Sequence, residues 1–186
     1  MSRFLFFMFL ASAGFLSSAR ARAMSWGRPP LAVVAGFDLE RYLGRWYEIA
    51  RLPNFFEKPD MCNIMAEYDL LPSGDLSVCN SCTRGNGRTS EVAGIGRIAD
   101  PISNAKLEVA FAPPVLRFLP FVWGNYWIID LDFDYQWAIV GEPSRKCLWI
   151  LSRQPVMSDE LYKRLCKSAE AKGFDVSELI RPDQKA

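Results

Sequence analysis

Short segments in which apolar and polar residues alternate run through most of the chain, and turn-forming residues separate them. The pattern is clearest on either side of Pro72-Ser73-Gly74-Asp75, a strong turn sequence, so residues 61–71 and 76–83 are predicted to form a β-hairpin. Further strands are predicted at residues 90–98, 105–111, 126–131, 137–141 and 148–152. Many short strands without intervening helices indicate an all-β fold, either a sandwich or an antiparallel barrel.

One helix is predicted after the last strand. Ser158 is a favourable N-cap, two acidic residues follow it, and Gly173 is a typical end. Leu161, Leu165 and Ala169 recur at helical spacing between these limits. The helix is therefore amphipathic, and its apolar stripe should pack on the outside of the sheet.

The sequence of residues 38–51 predicts a short helical turn that leads into the first strand. A helical turn capped by Asp38 passes through Gly44, where φ can be positive, into a run that alternates large apolar and polar residues. Trp46 follows this turn directly, at the start of the sheet. Its broad ring can plug one end of whatever the sheet encloses.

The most hydrophobic connection in the mature chain is residues 112–124. Three prolines exclude a regular helix or a central strand, so the segment is predicted to be a loop. One hypothesis is that it dips into a membrane at the rim of the fold; the other is that it caps the fold or forms a dimer contact. The apolar residues proposed to touch the membrane are Leu116, Phe118, Leu119, Phe121 and Trp123.

Composition excludes several function classes. The chain has 186 residues, half of them hydrophobic, which suits a single domain with a sizeable core. A formal charge of +1 with mixed signs argues against a nucleic-acid partner. The chain contains no His, so Ser-His or Cys-His catalysis and His-ligated zinc are excluded, and the Cys79-x-x-Cys82 pair stands alone. No catalytic residue, metal or cofactor is expected.

Residues 1–23 resemble a secretory signal peptide. One Arg precedes a run of apolar residues, and Ala21-Arg22-Ala23 is a small-x-small cleavage pattern. An uncleaved anchor is the alternative. The mature protein is expected to be exported to the periplasm or cell envelope, where association with the outer membrane is one expectation. Residues 24–37 are predicted to form an irregular lead-in. Its first Cys is Cys62, so no thiol near the cut site is available for acylation.

Three motifs resemble the lipocalin family. Gly44-Arg45-Trp46 and its flanks match the first motif, residues 133–140 match the second, and residues 148–153 match the third. The likeness is strongest to the apolipoprotein D branch and to its bacterial outer-membrane members. The resemblance implies an eight-stranded up-and-down antiparallel barrel over residues 38–186, with the C-terminal helix packed outside it. It also implies that Arg153 packs over Trp46, near Gly44, to close one end of the barrel.

The resemblance implies a lipid cup as well. Side-chain parity with Arg153 directs Trp149 and Leu151 inward, and Glu48 shares the parity of Trp46, where an ion pair with Arg153 is the simplest role. The other implied lining residues, taken from the family's pocket, are Tyr68, Asn80, Phe111 and Tyr126.

The function implied is binding and transport or storage of a small hydrophobic or amphipathic lipid, of the fatty acid or lysophospholipid class, in the cell envelope and without catalysis. The alternatives are a lipid-modifying enzyme on the same scaffold, and a protein-interaction module that uses the exposed loops. A homodimer is suggested only by the bacterial relatives.

A disulfide is predicted at the mouth of the cup. An oxidising compartment would pair cysteines. Counting by parity from Tyr68 and from Asn80 directs Cys62 and Cys82 inward on neighbouring strands. We therefore predict a Cys62–Cys82 disulfide, with the other thiols free.

Overall fold

Eight antiparallel strands form a closed barrel in the computed structural model, which describes residues 29–55 and 57–184. Each strand pairs with the next along the chain, and the last pairs with the first, so the sheet has no free edge. The predicted up-and-down barrel is confirmed. The strands are β1 (Gly44–Arg51), β2 (Cys62–Leu70), β3 (Leu76–Thr83), β4 (Thr89–Ile98), β5 (Lys106–Ala110), β6 (Gly124–Leu131), β7 (Trp137–Gly141) and β8 (Leu148–Ser152).

Among residues 29–184, as far as the structure describes them, two α-helices flank the barrel. Helix α1 (Leu39–Tyr42) precedes β1, and the carboxylate of Asp38 caps it by accepting from the backbone N–H groups of Glu40 and Arg41. Helix α2 (Asp159–Ala171) is capped by Ser158 and follows β8, as the sequence predicts. Short 3₁₀ turns lie at Pro114–Leu116, Pro120–Val122 and Val176–Glu178.

The hydrophobic core has two parts. One fills the interior of the barrel around Trp46. The other lies between the outer face of the sheet and helix α2, where Leu165 and Ala169 pack against Ile139 and Ile150. Gly141 leaves space for this second layer, because a Cβ there would lie 2.6 Å from Cζ of Phe174. The helix therefore covers the outside of the barrel and leaves its mouth open.

Residues 29–37 contain no helix or strand, and the predicted signal peptide lies outside the described residues. The lead-in still contributes to the fold, since the N–H of Val34 donates to the carbonyl of Ile128. Within the described part of the chain, no helix is long and apolar enough to cross a membrane.

Three β-bulges interrupt the alternation that the sequence predicts as continuous. They lie between Glu48 and Ala50, between Cys62 and Met65, and between Ile128 and Asp130. Each bulge inserts one extra residue and reverses the side-chain parity beyond it. The bulge in β1 turns Arg51 toward the interior.

The Cys62–Cys82 disulfide is not formed, and all five cysteines are free thiols. The bulge in β2, where Asn63 has φ 49°, makes the parity count from Tyr68 invalid at Cys62. Cys62 lies opposite Thr83 on β3, the residue after Cys82. The prediction was wrong because it assumed an unbroken strand.

Candidate functional site

The closed end of the barrel is held by Trp46 and Arg153. Trp46 is fully buried, and the Arg153 guanidinium lies 3.8 Å from the centre of its ring. The two Nη atoms of Arg153 donate to the carbonyls of Arg45 and Arg41, at 2.8 and 2.9 Å. The indole N–H of Trp46 donates to the carbonyl of Tyr42 at 2.8 Å. These contacts connect β8, helix α1 and β1 across one end of the barrel.

Gly44 permits this arrangement. Its φ of +86° lies in the region that favours glycine, and an added Cβ would be 3.6 Å from Nη1 of Arg153. Any other residue would strain the turn between helix α1 and β1. The three residues that the resemblance assigned to barrel closure therefore lie together.

Three tyrosines fill the interior above Trp46. The hydroxyls of Tyr42 and Tyr68 each lie 2.8 Å from the hydroxyl of Tyr126. Burial raises the pKa of all three phenols, so they stay neutral. Tyr68 and Tyr126, which the sequence suggested as ligand contacts, thus use their hydroxyls on one another. They form the floor of the cup.

The wall of the cup on β3 to β5 is apolar and open to solvent. Val92 pairs with Asn80 and Gly94 with Val78, positions that face inward by register. A Cβ on Gly94 would lie 2.7 Å from Cδ1 of Phe111, so that ring covers Gly94 on the inner face. Val92 is nevertheless 47% exposed and Phe111 39% exposed. The upper half of the barrel is therefore accessible from the mouth.

Two further predicted lining residues lie on β8, and one lies on β3. Leu151 is buried in the interior cluster, and Trp149 packs against the same cluster. The side-chain Oδ1 of Asn80 is buried without a hydrogen-bond partner. A buried acceptor of this kind is costly unless something donates to it.

A buried cation on the opposite wall, Arg51, was missed by the sequence analysis. Arg51 is completely buried, and its Nη1 donates to Oε1 of Glu48 at 2.7 Å. Its Nη2 donates to the carbonyl of Lys58 at 3.0 Å, and its Nε lies 3.4 Å from Oε2 of Glu57. Glu48 therefore pairs with Arg51 and not with Arg153. Strict alternation along β1 directs Arg51 outward, so only the bulge could have revealed it.

The loop between β1 and β2 folds into the cup through Glu57. Its Oε2 accepts from Nδ2 of Asn54 at 2.6 Å and from the indole N–H of Trp149 at 3.3 Å. Burial, and next the charge of Glu57, raise the pKa of Glu48 to about 8, although Arg51 opposes the shift. The raised pKa favours the protonated form of Glu48, whose Oε1 accepts from Nη1 of Arg51.

The hydrophobic loop of residues 112–123 is partly exposed. Val115, Phe118 and Phe121 are 73%, 78% and 53% exposed. Leu116, Leu119 and Trp123 are instead half-buried.

Trp123 and Arg117 are engaged within the protein. The indole N–H of Trp123 donates to the carbonyl of Arg117, and the Arg97 guanidinium lies 3.9 Å from its ring centre. Nε of Arg117 donates to the carbonyl of Ala112. The exposed apolar surface of this loop therefore consists of phenylalanine and valine.

Other features of the described residues carry no chemistry. Two depressions of about 120 and 370 Å³ lie mainly on the outer face of β1 to β4, away from the cup, and are lined mostly by polar and charged side chains. Within residues 29–55 and 57–184, no three His, Cys, Asp or Glu side chains cluster in a way that could hold a metal.

The raised pKa of Glu48 predicts a pH-dependent stability. A carboxyl whose pKa rises from 4.5 unfolded to about 8 folded stabilises the protein fully below the unfolded value, and this stabilisation is lost as the pH rises through the folded value. Urea melts of the wild type between about pH 5 and about pH 8 should therefore show a falling free energy of unfolding. The free energy of unfolding of the Glu48→Gln variant should fall less over the same pH range. Glu67→Gln, on the outer face, is the control and should match the wild type; equal slopes for all three would contradict the assignment.

Comparison with known proteins identifies the family. A family model described as a lipocalin-like domain matches residues 37–184. Temperature-induced lipocalin-1 of Arabidopsis thaliana is 44% identical, over 83% of this chain and 83% of its own length. Outer membrane lipoprotein Blc of Escherichia coli strain K12 is 40% identical, over 85% and 86%, and apolipoprotein D of Mus musculus is 32% identical, over 95% and 94%. The predicted resemblance is confirmed, and the chain belongs to the lipocalin family.

Proposed function

We propose that the protein binds a small hydrophobic or amphipathic lipid with a single chain, and carries or stores it without chemical turnover. The observation that supports this most is the exposure of Val92 and Phe111, which face inward by register yet remain open to solvent. A solid core would bury both. An apolar wall reached through an open mouth is typical of a lipid site.

The size of the site favours a single acyl chain. Tyrosines and Trp46 occupy the closed half, which leaves only the upper half for a ligand. Burial of each methylene contributes about 0.8 kcal/mol, so a chain of ordinary length supplies ample affinity without many polar contacts. A barrel of eight strands has room for one small ligand.

We place this activity in the cell envelope. Two observations support that location: the N-terminal residues resemble an export signal, and one relative is named as an outer membrane lipoprotein.

The competing function is a lipid-modifying enzyme. Glu48 and Glu57 are two interior carboxyl groups, and the pKa of Glu48 is raised, which is typical of acid–base catalysts. However, Glu48 is only 3% exposed, and Arg51 engages both carboxyl groups. A substrate has little access to the proton of Glu48, so this arrangement favours a structural ion cluster over catalysis.

Incubation with a membrane lipid extract, followed by mass spectrometry of what co-purifies, separates these functions. We expect an unaltered single-chain lipid to be retained. The Trp149→Ala variant should retain less, because Trp149 lines the cup and holds Glu57. Trp137→Ala is the matched control, since Trp137 packs on the outer core, and it should retain as much as the wild type.

Two outcomes would contradict the proposal. Chemically altered lipid would support the enzyme. Absence of any retained lipid would support a protein-interaction module that uses the exposed loops.

We further propose that the mouth of the cup contacts an anionic membrane. The topology brings the loops 52–61, 84–88, 111–123 and 142–147 to one end of the barrel. These loops contain six Lys or Arg and three Asp or Glu, whereas the loops 71–75, 99–105 and 132–136 at the other end contain four Asp and no Lys or Arg. Exposed Phe55, Phe118 and Phe121 lie at the basic end. Basic charge beside apolar tips suits an anionic lipid surface.

Co-sedimentation with anionic vesicles tests this contact. The double variant Phe118→Ser, Phe121→Ser should bind about thirtyfold more weakly, since each ring contributes on the order of 1 kcal/mol when it enters the lipid interface. The double variant Ile102→Ser, Phe133→Ser is the matched control, because it removes two exposed apolar residues from the acidic end.

Equal binding by both variants and the wild type would remove the membrane role. Self-association that only the first variant loses, in the absence of lipid, would instead assign the loop to a homodimer contact.

A further inference from the structure

The interior of the cup has two chemically different walls. Strand β5, with Leu107 and Val109, lies opposite β1 in the order of the closed barrel. The β5 side, with Val92 and Phe111, is apolar. The β1 side carries Arg51 with two carboxyl groups. An amphiphile that lays its chain on the β5 side brings its polar end toward the charged side.

Arg51, the cation on the charged side, is completely buried, and all three of its nitrogen atoms face acceptors of the chain, although its Nε makes no hydrogen bond. Nη1 of Arg51 donates to Glu48, Nη2 donates to the carbonyl of Lys58, and Nε faces Glu57. The indole N–H of Trp149 also donates to Glu57. A ligand carboxylate would have to displace Glu57 before it could reach the guanidinium of Arg51.

The charge balance leads to the same conclusion. Arg51 contributes one positive charge, and Glu48 and Glu57 together carry at least one negative charge, so the cluster is neutral or negative. An incoming anion would add a negative charge without a counter-ion, and this is costly in a poorly solvated interior. A hydroxyl group adds no charge and can donate to the carboxyl groups, and the positive charge of an ammonium group can be compensated when Glu48 loses its proton.

Glu57 lies at the depth where a ligand would sit. It accepts from the indole N–H of Trp149, which packs against the interior cluster, and its charge raises the pKa of Tyr68 on the floor and of Cys82 near the mouth, after burial as the larger cause. Asn80 lies between these levels on β3, and its buried Oδ1 lacks a donor. The polar positions around this level therefore offer acceptors.

We propose that Glu57 is a specificity residue: its carboxylate pairs with Arg51 and so prevents a ligand carboxylate from binding there. The cup therefore binds amphiphiles that end in a hydroxyl or a primary amine and excludes free carboxylates. This inference rests on the proposed lipid-binding function and narrows its ligand class. Glu57 comes from a loop, so its side chain is the part of the cluster that one substitution changes with least effect on the barrel.

The test compares three ligands that share one chain and differ only at the polar end: dodecanol, dodecylamine and dodecanoate. Calorimetric titration at neutral pH should show the wild type binding the alcohol and the amine at least about tenfold more tightly than the carboxylate, as expected for an uncompensated charge. In the Glu57→Gln variant the carboxylate should gain about tenfold, while the alcohol changes less than about threefold.

Glu67→Gln is the matched control, because Glu67 lies on the outer face of β2 beside Arg45. It should keep the selectivity of the wild type. Near-ultraviolet circular dichroism establishes that both variants are folded, and the ligand series on the wild type tests the selectivity without any substitution.

The outcomes are distinct. If the wild type binds the carboxylate as tightly as the alcohol, or if Glu57→Gln shifts all three ligands equally, the assignment of Glu57 is overturned while lipid binding stands. If the wild type binds none of the three, the proposed lipid function fails and this inference fails with it.

Discussion

The buried guanidinium of Arg51 is the interaction on which the interior of this barrel depends. A charge removed from water is tolerated only when partners surround it, and Arg51 has Glu48 from its own strand and Glu57 and Lys58 from the following loop. Removing both carboxyl groups would leave an uncompensated buried charge, which typically costs about 3 to 5 kcal/mol. The cluster therefore holds the first loop inside the mouth and gives one wall of the cup its polarity.

The other end of the barrel is closed, in the described part of the chain, without a buried ion cluster. Trp46, Arg153 and the linked tyrosines close it with stacked rings and satisfied hydrogen bonds, so no buried hydroxyl of the cluster lacks a partner. This filling leaves space only above the tyrosines. The interior is thus divided along its axis into a packed floor and an open cup, and across its width into an apolar wall and a charged wall.

Much of the fold follows from the sequence, because strand alternation and turn residues act locally. The hairpin around Gly74, the Ser158 cap and the inward parity of Trp149 and Leu151 are all features of this kind. The motif residues Gly44, Trp46 and Arg153 meet where the resemblance implied.

The features that could not be predicted depend on bulges and on long-range partners. One extra residue in β1 brings Arg51 inside, and one in β2 removes the basis for pairing Cys62 with Cys82. Similarly, the sequence pattern indicates equal exposure for Trp123 and Phe118. In the structure, Arg97 from a distant strand covers the ring of Trp123, whereas Phe118 is exposed to solvent. No local pattern encodes such contacts.

The central claim is that a lipid occupies the upper half of the barrel, between the wall of β3 to β5 and Trp149. A crystal structure of the protein with a dodecanol that carries a terminal bromine tests this directly, because anomalous scattering locates the bromine without ambiguity. The account predicts one bromine peak inside the barrel, above Tyr68 and Tyr126 and on the side of Val92 and Phe111. A peak only on the outer face of the sheet or beneath helix α2, with the interior unchanged, would contradict it.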